Sequence, residues 1–214
     1  MKTRHHLAVV LFAVATIAPS AQAALLENGS FESPNITNGG YCYTNAPYAP
    51  CGSGVALTGW TGVSPIIGSG NGAWGGTQAQ DGSQYIGLQS YMGTNLGTVT
   101  QTLTLAAGTY ALSWFDAGRN GQGGIAYDVV FDGLALSSSP FQTTSGAGWT
   151  QHQAQFTAAG GGDLTFKVVT MGGDRTAFID NAALTQVSAV PEPASIALLL
   201  AGLGVLGLTR RAQR

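Results

Sequence analysis

From Thr98 to Leu105, and again from Thr109 to Phe115, the chain gathers its large apolar residues mainly at alternate positions, the period of a strand with one buried face rather than of a helix. Val99, Leu103 and Leu105 lie on one side of Thr98–Leu105, with Thr98, Thr100, Thr102 and Thr104 on the other. Tyr110, Leu112 and Trp114 share one side of Thr109–Phe115, and Ala106-Ala107-Gly108 between the two runs predicts a turn joining antiparallel partners. Further strands are expected over Ile125–Phe131, Trp149–Thr157, Leu164–Thr170 and Thr176–Thr185, with Asp132-Gly133 and Gly160-Gly161-Gly162 as turns. No stretch between residues 24 and 189 carries the period of an amphipathic helix. Short strands at this spacing predict an all-β sandwich or barrel.

The two ends are of a different kind. Lys2 and Arg4 precede an apolar run from Leu7 to Ala18, and Ala21-Gln22-Ala23 offers small residues for cleavage, so residues 1–23 read as a signal peptide. At the other end Val190-Pro191-Glu192-Pro193 interrupts any helix or ladder, the apolar run Ala194–Leu208 follows, and Arg210 and Arg211 close it. That run would measure about 22 Å as a helix against a hydrocarbon core of roughly 30 Å, enough to lodge in a membrane and too short to span one well. The basic end would stay on the cytoplasmic side. This order of elements resembles the PEP-CTERM sorting signal of Gram-negative bacteria, with Val190, Pro191, Glu192 and Pro193 matching its motif. The resemblance implies processing by an exosortase-like membrane enzyme and only a transient hold on the inner membrane. An ordinary membrane anchor is the alternative, and under both readings residues 24–189 form an exported domain.

That domain carries nine acids against three bases, a formal charge of minus 6, which argues against nucleic acid as a partner. Cys42 and Cys51 are the two cysteines of the whole chain, and export through an oxidising compartment favours their pairing around a short loop. Two thiols without a nearby histidine make an incomplete zinc site.

Asn28-Gly29-Ser30-Phe31-Glu32, Gly59-Trp60, Asp81-Gly82-Ser83-Gln84-Tyr85-Ile86-Gly87-Leu88 and Ala177-Phe178-Ile179-Asp180-Asn181 occur in that order. They resemble galactose-binding-like jelly rolls, especially xylan- and glucan-binding modules and related plant cell-wall domains. The resemblance implies a jelly-roll β-sandwich over most of Leu25–Val187. It also implies neighbouring first and last strands that hold a structural calcium, with Glu32 and Asp180 as acidic ligands and Asn28 or Glu27 as further oxygen donors, a hard-donor set suited to that ion. A salt bridge from Asp180 to Arg175 together with backbone hydrogen bonds is the competing account of that carboxylate.

Sugars stack their C–H faces on aromatic rings while amides and acids take the hydroxyls. Trp74 in a Gly-rich loop, Tyr41, Tyr43 and Tyr48 beside the cysteines, and Arg119 with Asn120 meet that requirement. Each ring could equally fold back over a sandwich edge, whereas Trp60, Trp114 and Trp149 sit in strand contexts and read as core. His152 alternates with Gln151, Gln153 and Gln155 and reads as a surface or packed strand residue. No nucleophile elbow, zinc-protease motif or phosphate loop is present, and Asp128 and Asp132 would stand about 13 Å apart along a strand, a poor glycosidase pair. The expectation is therefore a non-catalytic exported protein of the cell surface or extracellular matrix that binds exopolysaccharide. A purely structural coat protein is the alternative, and a secreted glycan-active enzyme is a weaker one.

Overall fold

The computed structural model describes residues 24–36, 40–44, 54–91, 95–170 and 172–187. Within them the expected all-β jelly-roll sandwich is observed: thirteen strands and one 3-10 turn at Gly72–Trp74. In chain order the strands are β1 Tyr41–Tyr43, β2 Thr61–Val63, β3 Pro65–Gly68, β4 Gln84–Tyr91, β5 Asn95–Leu96, β6 Thr98–Leu103, β7 Gly108–Gly118, β8 Ile125–Phe131, β9 Leu134–Ala135, β10 Phe141–Thr143, β11 Thr150–Ala158, β12 Gly162–Val168 and β13 Arg175–Val187. A seven-stranded sheet runs β1-β3-β4-β13-β7-β11, with β5 alongside β4. A six-stranded sheet runs β10-β8-β12-β6-β2, with β9 alongside β8. Every pairing is antiparallel.

The core lies between the sheets. From the seven-stranded sheet Ile66, Ile86, Leu88, Leu112, Trp114, Ala177 and Ile179 enter it fully buried, and Val99, Tyr127, Val129, Leu164 and Phe166 meet them from the other side. Trp114 sets its ring edge against Phe166, with centroids 5.7 Å apart. Trp60, though outside any strand, packs on Phe166 and Phe31 and donates its indole N–H to the carbonyls of Glu27 and Asn28. Trp60 and Trp114 are thus core residues, as their contexts predicted.

The predicted hairpin of Thr98–Leu105 with Thr109–Phe115 is not formed. β6 pairs with β12 and β2, while β7 pairs with β13 and β11 in the opposite sheet. Each run has one apolar side, and those sides face one another across the core instead of standing side by side. The segment between them crosses the roughly 10 Å separating stacked sheets.

Nor are the first and last strands neighbours. β1 pairs with β3, and β13 occupies the middle of its sheet between β4 and β7. The segment before β1 instead crosses β13 at one point, where Ala182 donates its N–H to Gly29 over 2.8 Å. There the register against β7 shifts between Asp180 and Ala183, and Asn181 takes a φ of 48°, a bulge that gives β13 one extra residue. Before the bulge Phe178 and Asp180 face outward from the sandwich; after it Ala182 and Leu184 face in.

Candidate functional site

The outer face of the seven-stranded sheet carries a second apolar cluster. Ile67, Tyr85, Phe178 and Ala117 project from four adjoining strands, and the loop after β3 folds back to set Trp74 on them. Tyr85 lies 4.8 Å from Phe178 and 5.6 Å from Trp149, centroid to centroid. Polar bonds hold the loop down. Tyr85 Oη donates to the carbonyl of Thr77 and the Trp149 indole to that of Gln78, while the Ser69 hydroxyl bridges Gln78 and the Ala79 amide. Gly75 closes the 3-10 turn at φ 87° with Asn120 against it, so a Cβ there would meet the Asn120 backbone at 3.0 Å.

At the rim of this cluster most of the predicted sugar-site residues come together. Tyr41 and Tyr43 stand 6.2 Å apart and pack on Trp74 at 5.6 and 6.2 Å. The guanidinium of Arg119 lies 4.4 Å above the Trp74 ring, a cation–π contact. Arg119 also donates through Nη1 to both oxygens of Asp174, at 3.0 and 3.2 Å, and through Nη2 to the carbonyl of Ala73. Gln89 donates its amide to Asp174 over 2.8 Å and accepts the Tyr43 hydroxyl over 2.7 Å. Burial raises the Tyr43 phenol above its ordinary value, which keeps it protonated as that donor. The result is a chain of polar contacts, Tyr43 to Gln89 to Asp174 to Arg119, beside half-buried tyrosine rings.

Two of the expectations need correction. Trp74 is only 3% exposed, and one face of its ring is covered by Arg119, so it is a core residue of the outer cluster rather than a free stacking platform. Trp149, expected in the core, is half-buried on the outer cluster. Asn120 stays exposed at the rim. Tyr48 lies outside the described residues, as does Cys51, so the expected bridge from the buried Cys42 has one end beyond them. Sequence reasoning missed Gln89 and Asp174, and with contacts spanning 85 and 55 residues no local signal ties them to the site.

The predicted calcium ligands are only partly assembled. Glu32 and Asp180 both hold the segment 80–84: Asp180 accepts the amides of Gln80 and Asp81 on Oδ2 and that of Asn181 on Oδ1, while Glu32 accepts the amides of Ser83 and Gln84 and the Ser83 hydroxyl. Asp180 is fully buried, and burial, with the nearby Glu32 charge adding to it, pushes its pKa up to about 7 against the bonds it accepts. Arg175 is not its partner and donates to the carbonyl of Gly124 instead. Asn28 and Glu27 do not join the two acids. The Asn28 amide is taken up by Ser33 and Thr58, and the Glu27 side chain lies against Gly59. Among the described residues no group of three or more His, Cys, Asp or Glu side chains is placed to hold a metal. Both carboxylates are hard oxygen donors of the kind calcium takes, but here their oxygens accept the amides and hydroxyl of residues 80–84 and the amide of Asn181.

Inside the sandwich His152 stacks on Trp114 with Nε2 2.9 Å from Asp116 Oδ1, and the Asp116 carboxylate accepts the Tyr127 hydroxyl over 2.7 Å. It is a packed strand residue that turns away from the outer face.

Residues 189–214 match the PEP-CTERM protein-sorting motif. No curated protein matches the chain in sequence. Among solved structures it is similar to the TmCBM61 module in complex with β-1,4-galactotriose, at 18% identity and a TM-score of 0.47 over 77% of this chain and 99% of that one. It is also similar to the CBM22-1 xylan-binding domain from Paenibacillus barcinonensis, at 14% and 0.43 over 62% and 88%, and to a CBM36 module in complex with calcium and xylotriose, at 21% and 0.37 over 45% and 78%. What those modules bind belongs to them, since likeness of this size transfers no ligand. Among the described residues no helix is long and apolar enough to cross a membrane, and the run Ala194–Leu208 lies outside them. The chain is a two-sheet β domain whose carboxy-terminal residues carry a PEP-CTERM sorting motif.

Proposed function

We propose that this protein is exported after cleavage behind Ala23, held briefly at the inner membrane, cut near Val190-Pro191-Glu192-Pro193 by an exosortase-like enzyme, and left at the surface or in the matrix of a Gram-negative cell. There the domain spanning residues 24–189 binds extracellular polysaccharide without catalysis. The observation that supports the binding step is the Tyr41, Tyr43, Gln89, Asp174 and Arg119 group: half-buried rings beside a carboxylate and a guanidinium that are already fixed in place. Groups held by one another lose little freedom when a sugar arrives, which is what weak polyhydroxyl ligands require. Replacing Tyr41 by Ala should reduce retention on the host's own exopolysaccharide while the melting temperature holds. Unchanged retention would move the site elsewhere.

A purely structural coat protein is the second reading, favoured by the burial of Trp74 and by Arg119 already bonded to Asp174 and Ala73. Calcium enters as a proposal at Glu32 and Asp180 alone, where it would neutralise two carboxylates and fix the segment 80–84. Chelation should then lower the melting temperature, and an identical melt with and without chelator removes the ion.

A further inference from the structure

We propose that β11 is an association edge, at which a second copy of this chain lays its own β11 antiparallel and extends the seven-stranded sheet across a two-fold axis. β11 ends that sheet, pairing with β7 along all nine of its residues on one side and with no strand among the described residues on the other. The remaining terminal strands, β1, β2 and β10, are three residues each. Shortness is one device by which proteins protect a sheet edge; lysines, prolines, bulges, inward-pointing charges and a covering loop or helix are others. β11 is nine residues long, and its one ionisable residue, His152, points inward. Its sequence, Thr-Gln-His-Gln-Ala-Gln-Phe-Thr-Ala, contains no proline and no lysine, and its register against β7 runs without a shift.

The edge suits a second copy of itself. The domain carries a net minus 6, but β11 bears no acid or lysine to repel its own copy, and its one ionisable residue, His152, turns inward to Trp114 and Asp116. The exposed side chains are Thr150, Gln151, Gln153, Gln155 and Thr157. Pairing two copies about Ala154 uses all nine residues and sets Gln153 opposite Gln155 of the partner subunit twice, so amides meet amides on the outer face. That contact is isologous and closes as a dimer. The free backbone groups of each edge satisfy those of the other.

The test uses the full chain in detergent, so that the apolar tail contributes equally to every sample. Light scattering should give a dimer for the wild type, monomers for Gln153→Lys/Gln155→Lys and for Gln153→Glu/Gln155→Glu, and a restored dimer when the two variants are mixed. These positions are exposed and should leave the melting temperature alone at concentrations where the wild type is also monomeric. Hydrogen exchange on the wild type should show β11 amides gaining protection as concentration rises. Equal masses for wild type and lysine variant, a mixture that stays monomeric, or β11 exchange independent of concentration, as a covering terminal segment of the same chain would give, overturns the proposal.

Discussion

The two apolar clusters of this domain are built on opposite principles. Between the sheets, strands supply the side chains, alternation decides which enter, and the polar groups reaching in number few, such as the Tyr127 hydroxyl on Asp116. On the outer face, strands supply only the floor, and Trp74 is delivered by a loop that stays down through hydrogen bonds from Tyr85, Trp149 and the amides bound by Asp180. The first cluster is therefore expected to unfold with the whole sandwich, and the second to open while the sheets remain.

The sharpest way to separate them is to remove one tryptophan from each. Trp114→Ala should cost about 4 kcal/mol in urea denaturation, the range for a large aromatic lost from a packed interior, and should raise exchange throughout both sheets. Trp74→Ala should cost less, about 3 kcal/mol, with exchange rising first in residues 69–83. Equal losses with the same exchange pattern would merge the clusters into one unit.

A smaller and pH-dependent effect should come from Asp180. Its pKa rises from 3.8 to about 7 on folding, so the native state binds the proton more tightly than the unfolded chain. The stability it contributes is complete below the unfolded value and falls as pH climbs through the interval up to about 7, above which it is flat. Asp180→Asn should remove that slope, measured as melting temperature against pH in chelator. A slope that survives the substitution assigns it to another group. The smallest change is expected at Arg119, where Arg119→Ala gives up a ring contact and a partly screened ion pair worth about 1 kcal/mol together. Arg119→Lys should restore little of it, because the planar fork serves Asp174, Ala73 and the ring at once.

Legibility in the sequence followed the same division. Six long strands could be placed, most of them because one side is wet and the other dry; Ile125–Phe131 was located to the residue. β4 shows no such contrast, since Gln84, Gln89 and Ser90 are buried along with its apolar residues under the outer layer. Strands of two to four residues, such as β2 or β9, are too short to carry a period. Partner choice was misread at Thr98 and Thr109 because alternation reports which side is dry and not which sheet a strand joins. In the site, residue types were readable and Tyr41, Tyr43 and Arg119 did gather, but the burial of Trp74 depends on a loop folding over a face assembled from four distant strands.

The bulge at Asn181 acts on β13 as a frameshift acts on a message. Upstream of it odd-numbered residues such as Ala177 and Ile179 are interior; downstream the even-numbered Ala182 and Leu184 are. A chain lacking that single residue would still set Ala182 opposite Trp114 and Leu184 opposite Leu112, with both facing in, but Asp180 would lose the amide it accepts from Asn181. The extra residue therefore serves the buried carboxylate rather than the core: the interior residues on either side would pair without it, whereas Asp180 would keep only the amides of Gln80 and Asp81.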